Sequence, residues 1–177
     1  LPAARHVSAS EPAKLDEVPA DFTVVDIRSV VNMGWADETA GDGKGGWSDQ
    51  GDNDMRNAPL GTHELRGVPF ELIDPERNEG KSVIVLRSTN FESGLREVTI
   101  PLHGAKADFV YVLHAAAWLN GGAAKFTLEY EDGARGETLQ AWENIRVGDW
   151  WSPGDGNRYK VAFTVSNPVR DEVCMYV

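Results

Sequence analysis

Two groups of side chains in this chain are equipped for chemistry. The first lies in residues 33–61, where Asp37, Asp42, Asp49, Asp52, Asn53, Asp54 and Arg56 alternate with glycines around Trp35 and Trp47, and aliphatic residues are nearly absent. The second is a set of tryptophans at segment ends. Trp118 closes an alternating run and precedes Leu119-Asn120-Gly121-Gly122, while the adjacent Trp150 and Trp151 precede Ser152-Pro153-Gly154. An indole face stacks on the C–H surface of a sugar ring, and the ring hydroxyls then need Asp, Asn or Arg partners. On that chemistry Trp47, Trp118 and Trp150 are the candidate platforms, and Asp49, Asn53, Asp54 and Arg56 the polar partners. Core packing competes with this reading, because tryptophan is largely buried on average; it is favoured for Trp142, which alternates within a strand. Neighbouring extended residues point to opposite faces, so one of Trp150 and Trp151 packs inward and the other looks outward.

The acidic loop also offers hard oxygen donors, of which calcium takes six to eight. Asp37, Asp49 and Asp52 are the candidate ligands, with a structural role for the ion. Their spacing does not follow the EF-hand template. The competing reading is that these aspartates accept hydrogen bonds from loop amides as turn residues. No catalytic residue is assigned. The sequence has no Gly-x-Ser-x-Gly elbow, and His6, His63, His103 and His114 show no metal-binding spacing. His114 lies in an alternating strand and reads as a packed residue. Residues 41–46, Gly-Asp-Gly-Lys-Gly-Gly, lack the Lys-Ser/Thr pair that opens a helix after a phosphate loop.

Charge narrows the partners. The formal net charge is −11, which repels phosphate backbones and anionic membrane surfaces. Nucleic acid and membrane are therefore not expected as partners. A strongly anionic glycan is disfavoured as well, unless a local basic pocket overrides the average. The single cysteine, Cys174, excludes an internal disulfide and a two-cysteine zinc site, and reads as a small buried apolar side chain. No apolar run reaches the ~18 residues that a membrane helix needs.

These residues need a scaffold, and the pattern is one of strands. Residues 1–20 hold Pro2, Pro12 and Pro19 with little periodicity, and read as an arm or linker. From 21 to 177 the chain reads as one module. Strands are predicted over 22–31, 64–73 (with Pro69 demoting it to an edge), 82–87, 97–102, 107–118, 126–130, 137–142, 159–165 and 171–177, with a further short element at 144–151. In 107–118, Phe109, Tyr111, Leu113, Ala115 and Ala117 share one face. Asp132-Gly133 marks a hairpin, and 153–157 a turn cluster. No amphipathic helix stands out. The predicted fold is all-β, an antiparallel sandwich of jelly-roll type. Residues 33–61 cannot form a buried helix or strand, and their tryptophans argue for an ordered loop rather than disorder.

The segments Phe22-Thr-Val-Val-Asp-Ile, Gly45-Gly-Trp-Ser-Asp-Gln-Gly, Asn53-Asp54, Gly67-Val-Pro-Phe70, Leu113-His-Ala-Ala-Ala-Trp118, Tyr130-Glu-Asp-Gly133 and Asp149-Trp-Trp151 together resemble the galactose-binding-like, NPCBM-related β-sandwich modules appended to bacterial glycoside hydrolases. The likeness covers most of the chain from Phe22 onward. It implies a non-catalytic carbohydrate-binding module of a large secreted, periplasmic or cell-surface bacterial enzyme. The partners would be a poly- or oligosaccharide and the catalytic domain of the same polypeptide, and related folds often hold a structural calcium. The start at Leu1 and the stop at Val177, inside an alternating run, lead us to expect a fragment of a longer protein. Two alternatives stand beside this expectation: a domain that packs against a catalytic neighbour without a sugar site of its own, and a β-sandwich enzyme that degrades polysaccharide.

Overall fold

A computed structural model describes residues 21–44, 46–118, 125–130, 135–140, 147–156 and 159–177. The expected N-terminal arm, Trp142 and the Asp132-Gly133 turn lie outside the described residues. Within them, regular structure consists of strands and one turn of 3-10 helix, Pro75–Arg77, so the fold is all-β. The strands are β1 (Gly61–Leu65), β2 (Val68–Leu72), β3 (Lys125–Glu129), β4 (Arg135–Gln140), β5 (Val161–Val165) and β6 (Val173–Tyr176). They pair as three antiparallel two-stranded sheets, β1–β2, β3–β4 and β5–β6.

The first hairpin corrects the sequence reading. Residues 64–73 are not one strand. Arg66 and Gly67 both take positive φ, 55° and 82°, and turn the chain between β1 and β2. Two central residues with positive φ make the hairpin turn whose twist matches the strands. Pro69 falls in β2 opposite Glu64, and in a sheet of two strands each strand keeps an edge that needs no donor.

β6 sits at the centre of its surroundings. β5 occupies one edge, and His114 exchanges both backbone hydrogen bonds with Tyr176, at 2.8 and 2.9 Å. Beyond it, Ala116 N–H donates to Gly148 and Trp150 N–H to Ala116, both at 3.0 Å. All of Val173, Cys174, Met175 and Tyr176 are buried, as expected of a strand covered on both faces. Val173 and Met175 join Trp35, Met55, Leu65, Leu72, Val83 and Trp150 in one hydrophobic cluster. Burying each such side chain stabilises by about 1.5–3 kcal/mol.

The alternation predicted over 107–118 survives in its second half. Leu113, Ala115 and Ala117 pack against the core, while His114 stacks on the ring of Tyr176. Its first half does not: Phe109 and Val110 are exposed. Three other predicted strands are absent as such. Residues 22–27 run without a ladder and end in a turn at 28–30; 82–87 make only the isolated bridges Met33↔Val83 and Leu86↔Leu95; 97–102 form no pairing. A short apolar run favours extended backbone, but a strand also needs a partner edge, and these segments are given one at single residues or not at all.

Candidate functional site

The long loop is ordered, and its order comes from two buried carboxylates. Asp37 accepts the backbone N–H of Gly51 at 2.5 Å, with Gly46 and Thr39 N–H at 3.4 Å. Asp54, wholly buried, accepts the N–H of Asp37 at 2.8 Å and that of Arg56 at 2.9 Å. The Arg56 guanidinium then bonds both Asp54 oxygens and reaches the Asp37 carbonyl at 3.2 Å. These contacts, the hydrogen bonds to Asp54 foremost, raise the Arg56 pKa and keep it charged. Charged groups buried among hydrogen-bond donors of this kind fix a loop rather than offer it to solvent. Gly46 is required here, since a Cβ at that position would overlap the Ala36 carbonyl.

The loop also delivers aromatic rings to the core. Trp35 is buried and donates its Nε1–H to the Ile73 carbonyl at 3.1 Å. Trp47 stacks on Trp35 at 5.8 Å and meets the edge of Trp150, also at 5.8 Å. Trp150 is 1% exposed and touches Trp151 on its other side.

The candidate platforms therefore divide. Trp150 is corrected: its ring is sealed and no sugar reaches it. Trp47 is half-buried between two indoles. Trp118 stands 46% exposed. Its φ of 52° is a left-handed conformation that a bulky residue adopts at a cost of about 1–2 kcal/mol. Of the adjacent pair, the outward member is Trp151, 38% exposed, with the Arg170 guanidinium 4.1 Å from its ring centroid. The sequence showed that one ring of the pair faces out; nothing in it said which. Ala116 and Asp149 form a parallel bridge. Trp118 and Trp151 each lie two residues beyond it, so their Cα atoms are within about 19 Å of each other, given ~5 Å across a ladder and at most ~7 Å along each segment.

The proposed polar partners are not gathered around Trp118. Asn53 and Asp54 are buried, and the Asn53 amide donates to Gln50 and accepts from Asn167. Arg56 is held by Asp54 and Asp52, and Asp49 accepts the Gly43 N–H. The same contacts test a calcium site on Asp37, Asp49 and Asp52, and the residues do not fit one. Asp37 faces amides and Asp52 pairs with Arg56, and among the described residues no cluster of three His, Cys, Asp or Glu side chains is arranged to hold a metal ion. The reading of these aspartates as acceptors for loop amides is the one that the geometry supports.

A second polar feature lies behind β6. The Tyr176 phenol shares its one O–H proton between the carbonyls of Asp149 (2.9 Å) and Ser152 (3.0 Å), and burial pushes its pKa up. Burial likewise pushes the Cys174 thiol up, which makes it unreactive. His114 donates Nδ1–H to the Val112 carbonyl at 3.0 Å, its Nε2 has no partner among the described residues, and burial lowers its pKa.

No protein-family model, curated protein or solved structure matches the chain. Among the described residues, no helix is long and apolar enough to cross a membrane.

Proposed function

We propose that this chain is a non-catalytic carbohydrate-binding module, a jelly-roll sandwich related to the galactose-binding-like modules, that brings an attached secreted glycoside hydrolase to a polysaccharide. The observation that carries the reading is Trp118: a large indole left 46% exposed, in a strained backbone conformation, at the end of a segment whose preceding residues pack inward. Strain of this kind persists where the surroundings impose it, and it clusters at binding sites. Trp151, with the Arg170 guanidinium 4.1 Å from its ring centroid, is a second exposed indole whose Cα lies within about 19 Å of that of Trp118. A shallow site of one stacked ring and a few hydrogen bonds binds at about −4 kcal/mol, the millimolar scale, which tethering to an enzyme on a multivalent substrate makes sufficient.

The two buried loop carboxylates argue against the enzyme alternative. Asp37 and Asp54 are engaged by amides and by Arg56, so neither faces a substrate as acid or base. The interdomain alternative has an observation of its own. Ile100, Leu102, Phe109, Val110 and Val112 are each exposed, apolar side chains that a packing neighbour would cover. Affinity electrophoresis through gels containing neutral polysaccharides separates the readings. The sugar-binding module is retarded by at least one of them and released by Trp118→Ala; the packing domain migrates freely through all.

A further inference from the structure

A cavity of about 240 Å³ opens between β2 and the 3-10 turn, lined by Arg28, Glu71, Asp74 and Arg77 over Leu60 and Leu72. None of these residues belongs to the tryptophan surface. The charges are unequally committed. Arg28 is paired with Asp26 at 3.0 Å and closely with Glu71. Asp74 caps the turn by accepting the Glu76 N–H at 3.0 Å, which fixes the turn that carries Arg77. The Arg77 guanidinium makes no ion pair or side-chain hydrogen bond among the described residues. The cavity thus holds one uncommitted planar donor fork, carboxylates with spare lone pairs, and the apolar side chain of Leu60.

Each part selects a ligand feature. A guanidinium fork matches a carboxylate bidentately. A dianionic phosphate would meet Glu71, Asp74 and a chain of net charge −11, so a single negative charge is preferred. The remaining carboxylate oxygens accept from hydroxyls, and the exposed Leu60 offers a surface to ring C–H groups. The volume falls below the ~300–1,000 Å³ of drug-sized pockets, which limits the occupant to about one ring. We infer that this cavity binds a single carboxylate-bearing sugar unit, a hexuronate, with its carboxylate on Arg77 and its hydroxyls on Asp74 and Glu71. The choice of a sugar rests on the carbohydrate reading above; the cavity itself does not.

The test is calorimetric titration of the intact chain with D-glucuronate, D-glucose and acetate. Glucuronate should bind at least about tenfold more tightly than either of the others, and Arg77→Ala should weaken it about tenfold or more. Arg77 is exposed, so the substitution leaves the fold intact. Trp118→Ala should leave glucuronate binding unchanged. The proposal is overturned if acetate binds as well as glucuronate, if Arg77→Ala has no effect, or if Trp118→Ala abolishes the binding. Retardation by neutral polysaccharide that persists in Arg77→Ala would keep the module reading alone.

Discussion

The carboxylate of Asp54 accepts the backbone N–H of Asp37 at 2.8 Å, seventeen positions back along the chain, and this bond ties the two ends of the glycine-rich loop together. Asp37 in turn gathers the middle of the loop through Gly51 and Gly46. The loop closes around its own carboxylates, and this closure holds Trp35, Trp47 and Met55 against the core.

Replacing Asp54 tests that closure. Asp54→Ala strands the Asp37 N–H and the Arg56 guanidinium, and should destabilise by about 3 kcal/mol in urea denaturation. Asp52 pairs with the same arginine, but its side chain is 65% exposed. Asp52→Ala should therefore change stability by no more than about 0.5 kcal/mol. Equal effects from the two would show that the loop is not latched by burial.

Trp150 and Trp118 should respond in opposite ways. Trp150→Ala removes a fully buried ring and should destabilise by about 3–5 kcal/mol. Trp118→Ala should stay within about 0.5 kcal/mol of the parent. Trp118→Gly relieves the positive φ and should hold or raise stability by up to about 1 kcal/mol while abolishing glycan retention. A loss of several kcal/mol at Trp118 would mean that the ring is a core element.

These contrasts show how far the sequence could be read. The all-β class follows from period-two runs and turn residues, as at Phe126 and Leu128 of β3 and Val161, Phe163 and Val165 of β5. The inward set Leu113, Ala115 and Ala117 follows from alternation alone. The Arg66-Gly67 turn is hidden in the sequence because only its second residue is a glycine. Apolar composition points to strands at 22–31 and 97–102 that do not form, because composition does not reveal whether a partner edge exists. The site was legible in residue type but not in direction. Alternation says that Trp150 and Trp151 diverge; only the position of Trp47 decides that Trp150 is the buried one. Asp54 and Asn53 resembled sugar ligands because a carboxylate or amide bonded to loop donors has the same composition as one bonded to a hydroxyl.

Stability should depend on pH near neutrality through His114. Burial holds its folded pKa below the ordinary value of 6.5, so the unfolded chain binds the extra proton first. Its contribution is complete above pH 6.5 and declines as pH falls from there toward the folded pKa. The groups facing it, the Val112 carbonyl and the Tyr176 ring, do not titrate in this range. His114→Gln should flatten the melting temperature between pH 7 and 5 relative to the parent; parallel profiles would contradict the assignment.

Metal removal should do nothing to the loop. Asp37, Asp49 and Asp52 are bonded to amides and arginine, so a chelator should leave the thermal midpoint unchanged and added calcium should not raise it. A calcium-dependent rise would show that the loop carboxylates rearrange around an ion.

The most direct test is calorimetric titration of an oligosaccharide, cut from whichever neutral polysaccharide retards the chain, into the parent and into Trp118→Ala. The account predicts millimolar binding by the parent and none by Trp118→Ala, with the two proteins within about 0.5 kcal/mol of each other in stability. Undiminished binding by Trp118→Ala would contradict it.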